Sequence, residues 1–122
     1  MAAILLVDDS TTVRKLLIRI LKPAGFDILE AGDGIQALEV MAQEHVDLVV
    51  ADLNMPHMDG IELVKMIRKQ PEHADLPIVM LTTESDSEHR RKGLEAGANV
   101  YLVKPAPSHM ILYKIQSLLG GK

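Results

Sequence analysis

Short apolar runs in this chain end on side chains that could do chemistry. Asp8 and Asp9 follow the run at residues 4–7, Asp52 follows 48–51, Thr82 and Thr83 follow 78–81, and Lys104 follows 100–103. Carboxylates gathered in one place repel one another, which raises their pKa values and costs stability unless a cation joins them. Magnesium suits such a set, because it takes oxygen ligands and keeps several waters, leaving room for a phosphate oxygen. Calcium needs more protein oxygens than are present, and zinc is disfavoured in a chain with no cysteine and no tight histidine spacing. The five histidines read as mostly solvated side chains. Asp8, Asp9 and Asp52 would bring three negative charges, roughly neutralised by magnesium and Lys104.

Each residue also has an ordinary explanation. The acidic pair before Ser10 and Thr11 could be a helix N-cap cluster, and Asp52 before Leu53-Asn54-Met55-Pro56 could open a turn. Thr82 could cap a helix and Lys104 could be a surface cation. All four positions would then have to fall at the same end of a sheet by coincidence.

The elements that must position them alternate. Apolar runs at 4–7, 26–31, 48–51, 78–81 and 100–103 have strand length, and all but the second are continuous enough to be buried on both faces. The second, broken by Asp27 and Glu30, reads as an edge strand. Between them lie helical segments. Val13, Leu16, Leu17, Ile20 and Leu21 form one apolar stripe within 10–21, opposed by Arg14, Lys15 and Arg19. Ile35, Leu38 and Met41 mark a second helix, and Ile61, Val64 and Ile67 a third, stopped by Pro71. Ile111, Ile115 and Leu118 mark the last, over 108–119. Segment 85–96 offers little apolar surface beyond Leu94 and carries Arg90, Arg91 and Lys92, so it should pack weakly and move more easily. This alternation predicts an α/β fold with a parallel sheet and helices on both faces, in which ligands bind beyond the carboxyl ends of the strands.

The 122 residues, 48% hydrophobic and 25% charged, fit one domain with one core and no second domain. A net charge of −4 gives no general attraction to nucleic acid or anionic membrane. The absence of cysteine suits a reducing cytoplasm, and no stretch has the length of a membrane span. Gly120 and Gly121 could begin a flexible tail or a linker.

Leu-Val-Asp-Asp-Ser at 6–10, Asp-Leu-Asn-Met-Pro-His-Met-Asp-Gly at 52–60, Leu-Thr-Thr-Glu at 81–84 and Lys-Pro at 104–105 stand in an order and spacing that resemble response-regulator receiver domains. Over residues 4–119 the chain is most similar to single-domain chemotaxis regulators of CheY type. The resemblance implies a flavodoxin-like fold of five βα units with strand order 2-1-3-4-5. It also implies a phosphoacceptor switch, not an enzyme acting on other substrates. In it Asp52 takes a phosphoryl group in line from the phosphohistidine of a histidine kinase, with Thr82 and Lys104 contacting that group. Asp8, Asp9, Asp52 and the Asn54 backbone carbonyl become the magnesium site, Asp8 acting mainly through water. The Lys104–Pro105 bond becomes cis. Thr82 and Tyr101 become switch residues: Thr82 moves toward the phosphate, and Tyr101 turns inward and alters the face made by the fourth helix, fifth strand and fifth helix, where a downstream protein binds. Asn54, Thr83 and Glu84 tune hydrolysis, implying a short-lived phosphoform. A phosphatase would be a further partner, nucleic acid and membrane would not, and the domain would be a cytoplasmic monomer. Two positions depart from the family pattern. Ala106 and Pro107 follow Lys104-Pro105 where phenylalanine is common, and Thr83 replaces the usual small residue beside the switch threonine.

The rival readings are a receiver excised from a larger regulator, a magnesium phosphohydrolase with an aspartate nucleophile, and a flavin protein. The phosphohydrolase would need Asp-x-Asp after its first strand, where Asp8 and Asp9 adjoin. A flavin would want a Gly-rich phosphate loop and aromatic cover, which Phe26, Tyr101 and Tyr113 do not supply.

Overall fold

The computed structural model describes residues 1–120, so the tail reading at Gly121 lies outside the described residues. Five strands, β1 (Ala3–Val7), β2 (Asp27–Ala31), β3 (Leu48–Ala51), β4 (Ile78–Thr82) and β5 (Val100–Val103), form one parallel sheet in the order β2-β1-β3-β4-β5. The helices are α1 (Thr11–Leu21), α2 (Gly34–Gln43), α3 (Gly60–Arg68), α4 (Ser87–Ala96) and α5 (Ser108–Leu118).

Side chains on a strand alternate between faces, and here both faces are covered. Leu5, Val7, Val49, Ala51, Ile78, Met80 and Tyr101 pack with the buried residues of α2 and α3. Ile4, Leu6, Leu48, Val50, Val79, Leu81 and Leu102 pack with those of α1 and α5. This explains the continuous apolar runs of the central strands. The run at 100–103 reads the same way, yet β5 is the second edge strand, and its last residue, Val103, is exposed.

Two apolar stripes are placed slightly wrong by periodicity. Leu16 is 57% exposed while Leu17 and Leu21 are buried, and Ile35 is 46% exposed while Ala37 and Met41 face the sheet. A helix buries an arc, and an i, i+3, i+4 pattern does not say where that arc is centred. Segment 85–96 behaves as its composition indicates: in α4 only Gly93 is buried.

Four helix starts are held by side chains, with Ser10, Asp33, Asp59 and Asp86 each accepting a backbone N–H of the first turn. Each cap contributes about 1 kcal/mol. More to the point for function, the caps fix where each strand-to-helix turn runs at the carboxyl end of the sheet.

Candidate functional site

Register brings the acidic residues together. Val7 of β1 and Ala51 of β3 are partners across the ladder, so the residues after them emerge side by side. The Asp52 N–H donates to the Val7 carbonyl at 2.9 Å, and the Asp8 N–H to the Ala31 carbonyl at 3.1 Å. One carboxylate oxygen from each of Asp8, Asp9 and Asp52 lies within 4.8 Å of the others. Asp8 is 4% and Asp52 9% exposed while Asp9 is exposed, so the cluster is open to solvent on one side.

Lys104 enters from β5. Its N–H donates to the Thr82 carbonyl at 2.7 Å, and the following bond to Pro105 is cis. The ammonium group lies 3.1 Å from Asp8 Oδ2 and 3.6 Å from Asp52 Oδ2. It is therefore an interior counter-ion, not a free surface cation.

Asp52 is 9% exposed, and burial, opposed by Lys104, pushes its carboxyl above the ordinary carboxylate range; repulsion from Asp8 adds to this. Desolvation thus outweighs the mutual repulsion that the sequence alone suggests. Replacing Lys104 with methionine is expected to raise the Asp52 pKa further in the metal-free protein. Carboxyl carbon NMR across acid to neutral pH checks this, and an unmoved titration would contradict the pairing.

The ordinary roles are shared with other residues. Asp8 Oδ1 accepts the Ser10 N–H at 2.8 Å while Ser10 itself caps α1, and Asp52 Oδ1 accepts the Leu53 N–H at 2.7 Å. Both aspartates keep their second oxygen facing Lys104. Asp86, not Thr82, caps α4.

Glu84 joins the remaining residues. Its N–H donates to the Thr82 hydroxyl at 3.3 Å, its carbonyl accepts the Tyr101 hydroxyl at 2.8 Å, and its carboxylate accepts the Asn54 side-chain amide at 2.7 Å. Thr82 is buried at the end of β4, and Thr83 beside it is exposed. The Tyr101 ring already stands inward, 3% exposed, where Gly93 leaves space for it: a Cβ there would lie 3.0 Å from the ring. Arg90 lies over the ring, 5.9 Å from its centre, and donates to the Tyr101 carbonyl.

Residues 4–116 match the family described as the response regulator receiver domain. The chain belongs to that family. A CheY homolog of Campylobacter jejuni, a chemotaxis protein, is 39% identical over 96% of this receiver domain and 92% of its own length. The solved chemotaxis protein CheY4 of Vibrio cholerae superposes with a TM-score of 0.91 at 38% identity, covering 97% of this chain and 98% of that one. The receiver domain of the Pseudomonas aeruginosa histidine kinase PA1611, solved with magnesium coordinated in its active-site cleft, superposes at 0.90 with 29% identity over 98% of both chains. A CheY-like receiver domain of this kind works in two-component phosphorelay signalling.

Sequence reasoning missed the contacts of four residues. Arg14, assigned to the solvent side of α1, donates to the Asp8 carbonyl and pairs with Glu30 at 2.9 Å. Gly60 packs directly under the Asp52 backbone. His57 is exposed and His89 partly exposed, as expected, but both also hold partners: His57 bonds Asp33, and His89 sits among Glu84 and Asp86. Only the neighbourhood of Gly60 to Asp52 in one motif hinted at any of these.

Proposed function

We propose that Asp52 is the phosphoacceptor of this receiver domain, taking the group from the phosphohistidine of a histidine kinase. The observation that carries this is a buried carboxylate placed within 3.6 Å of a partly buried lysine and inside a three-carboxylate cluster open on one side.

The donor set fits magnesium: it is all oxygen, hard and close-packed, with no soft ligand among Asp8, Asp9 and Asp52. Asp9, Asp52 and the Asn54 carbonyl would hold the ion, Asp8 acting mainly through water. Bound there, magnesium would neutralise charge on the acidic cluster and on the arriving phosphoryl group. Asp52 supplies the electron pair for the new O–P bond as the P–N bond of phosphohistidine breaks. Lys104 and the Thr82 hydroxyl stabilise the acquired charge. The domain thereby catalyses only its own phosphotransfer and autodephosphorylation.

Output runs through Glu84. Because its N–H donates to the Thr82 hydroxyl and its carbonyl accepts the Tyr101 hydroxyl, a shift of Thr82 toward a phosphoryl group acts through Glu84 on Tyr101 and favours the inward position of the ring. Asn54 and Glu84, joined by a hydrogen bond, and the exposed Thr83 would set the hydrolysis rate. The changed face comprises α4, β5 and α5, where Leu94, Val103, Met110 and Tyr113 are exposed. Its partner is a downstream protein of a chemotaxis or motility system, as the chemotaxis names of its relatives suggest. We place the domain in the cytoplasm as a monomer; no helix among the described residues is long and apolar enough to cross a membrane.

Magnesium with beryllofluoride, a phosphoryl mimic, tests the switch. Amide resonances should shift around Asp52 and continue through Thr82 and Glu84 to Tyr101. Shifts confined to the acidic cluster would refute the output route, and an equal response in Asp52→Ala would refute the acceptor.

A further inference from the structure

The loop between β3 and α3, residues 52–59, carries the Asn54 carbonyl and lies mostly at the surface. Its ends are fixed, because the Gly60 N–H donates to the Leu53 carbonyl at 2.8 Å and Asp59 forms a capping box with Glu62. Its middle is held from two sides. On the β4 side Asn54 donates to Glu84. On the α2 side Met58 packs onto Gly34, where a Cβ would come within 2.9 Å of its side chain, and His57 Nδ1 lies 2.9 Å from Asp33 Oδ2.

The His57 contact is unusual in both partners. His57 is the one non-glycine residue with positive φ among the described residues, at 68°. Side chains rarely occupy that left-handed region, and histidine is among those that tolerate it. Asp33 is 5% exposed, and its carboxylate accepts the Gln36 N–H and bonds the His57 ring. These two, in that order, hold the Asp33 carboxyl below its usual range. A buried carboxylate needs partners, so the pair ties the loop to the start of α2. The His57 ring itself is mostly in solvent and adds little packing.

We infer that His57 is a positioning residue: through its bond to buried Asp33 it sets the turn three residues beyond Asn54 and so presents the Asn54 carbonyl to the cation site. This rests on the reading of that carbonyl as a magnesium ligand. His57 touches neither metal nor phosphoryl group, and acts through the backbone.

The test is magnesium affinity, read from backbone amide shifts of the intact domain during titration, with a thermal melt of each variant. His57→Ala and His57→Gly should both weaken binding, by about tenfold. His57→Asn keeps a residue that accepts positive φ and donates from its amide, and should stay within about twofold of wild type. Asp33→Asn retains the α2 cap but weakens the anchor, and adding His57→Ala to it should cost less than His57→Ala costs alone. Wild-type affinity in the glycine variant with loss only in alanine would mean that backbone conformation, not the ring contact, matters, and would overturn the inference. So would a lowered melting temperature with unchanged affinity. A wild type with no saturable shift, or one whose shift persists in Asp52→Asn, would overturn the metal reading itself, whatever the histidine variants show.

Discussion

Gly60→Ala is expected to destabilise the domain by about 3 kcal/mol, an overpacking cost at the upper end of what cores show. The sign is informative because alanine is the better helix former by about 1 kcal/mol, and Gly60 opens α3 without needing a positive φ. Space decides against it. An added Cβ would lie 2.2 Å from the Asp52 carbonyl oxygen, 2.9 Å from Leu53 Cα and 2.8 Å from Met80 Cε. Two of these are backbone atoms of the segment that carries Asp52, so either α3 moves away or Asp52 is displaced. Urea unfolding measures the cost, and magnesium titration of the folded variant measures the displacement. A stability equal to wild type would show that the approach of α3 to Asp52 is less tight than described.

Asp52→Asn is expected to make the metal-free domain more stable at neutral pH while abolishing stabilisation by magnesium. The folded-state pKa of Asp52 is raised, chiefly by burial. The folded state therefore binds this proton more tightly than the unfolded chain does, and stability falls as pH rises from the ordinary carboxylate pKa through the raised one. Above that window the full penalty is present, and asparagine removes it while retaining an oxygen for the Leu53 N–H. The advantage of the variant should vanish below the window. With magnesium the order reverses, because wild type gains about 2.7 kcal/mol at a hundredfold excess over the dissociation constant and the variant gains little. A site built for phosphoryl chemistry is thus expected to weaken its own fold until the cation arrives. Denaturation with and without magnesium, at neutral and acid pH, checks both halves.

The sheet was legible because strands covered on both faces must be continuously apolar, and residues 48–51 and 78–81 can be little else. The acidic cluster was legible because parallel strands end together, so Asp8 and Asp52 inherit the Val7–Ala51 register. Lys104 joins them because β5 ends beside Thr82 of β4. The ordered motifs of the receiver family added the roles, which position and charge alone did not assign. What stayed hidden depends on three-dimensional closeness without a local signal. Asp33 and His57 are 24 residues apart, and nothing in either segment announces the other. Gly60 looks like an ordinary loop-ending glycine, since the atom it must avoid belongs to a strand end eight residues earlier. Arg14 was assigned to solvent by its helix face, although a long side chain at the first turn can fold back over the sheet edge to Glu30. Exposure of Leu16 and Ile35 reflects the width of a helix's buried arc, which depends on the neighbours α1 and α2 find.

Phosphoryl transfer to Asp52 can be read without knowing the kinase. Wild type and Asp52→Asn would be incubated with acetyl phosphate and magnesium, the mass of the intact chain followed, and the modified residue located by peptide mapping. The expected result is one phosphoryl group per wild-type chain, carried on Asp52, not formed when magnesium is left out and absent from the variant. Equal uptake by Asp52→Asn, or a wild-type label on any residue other than Asp52, would contradict it.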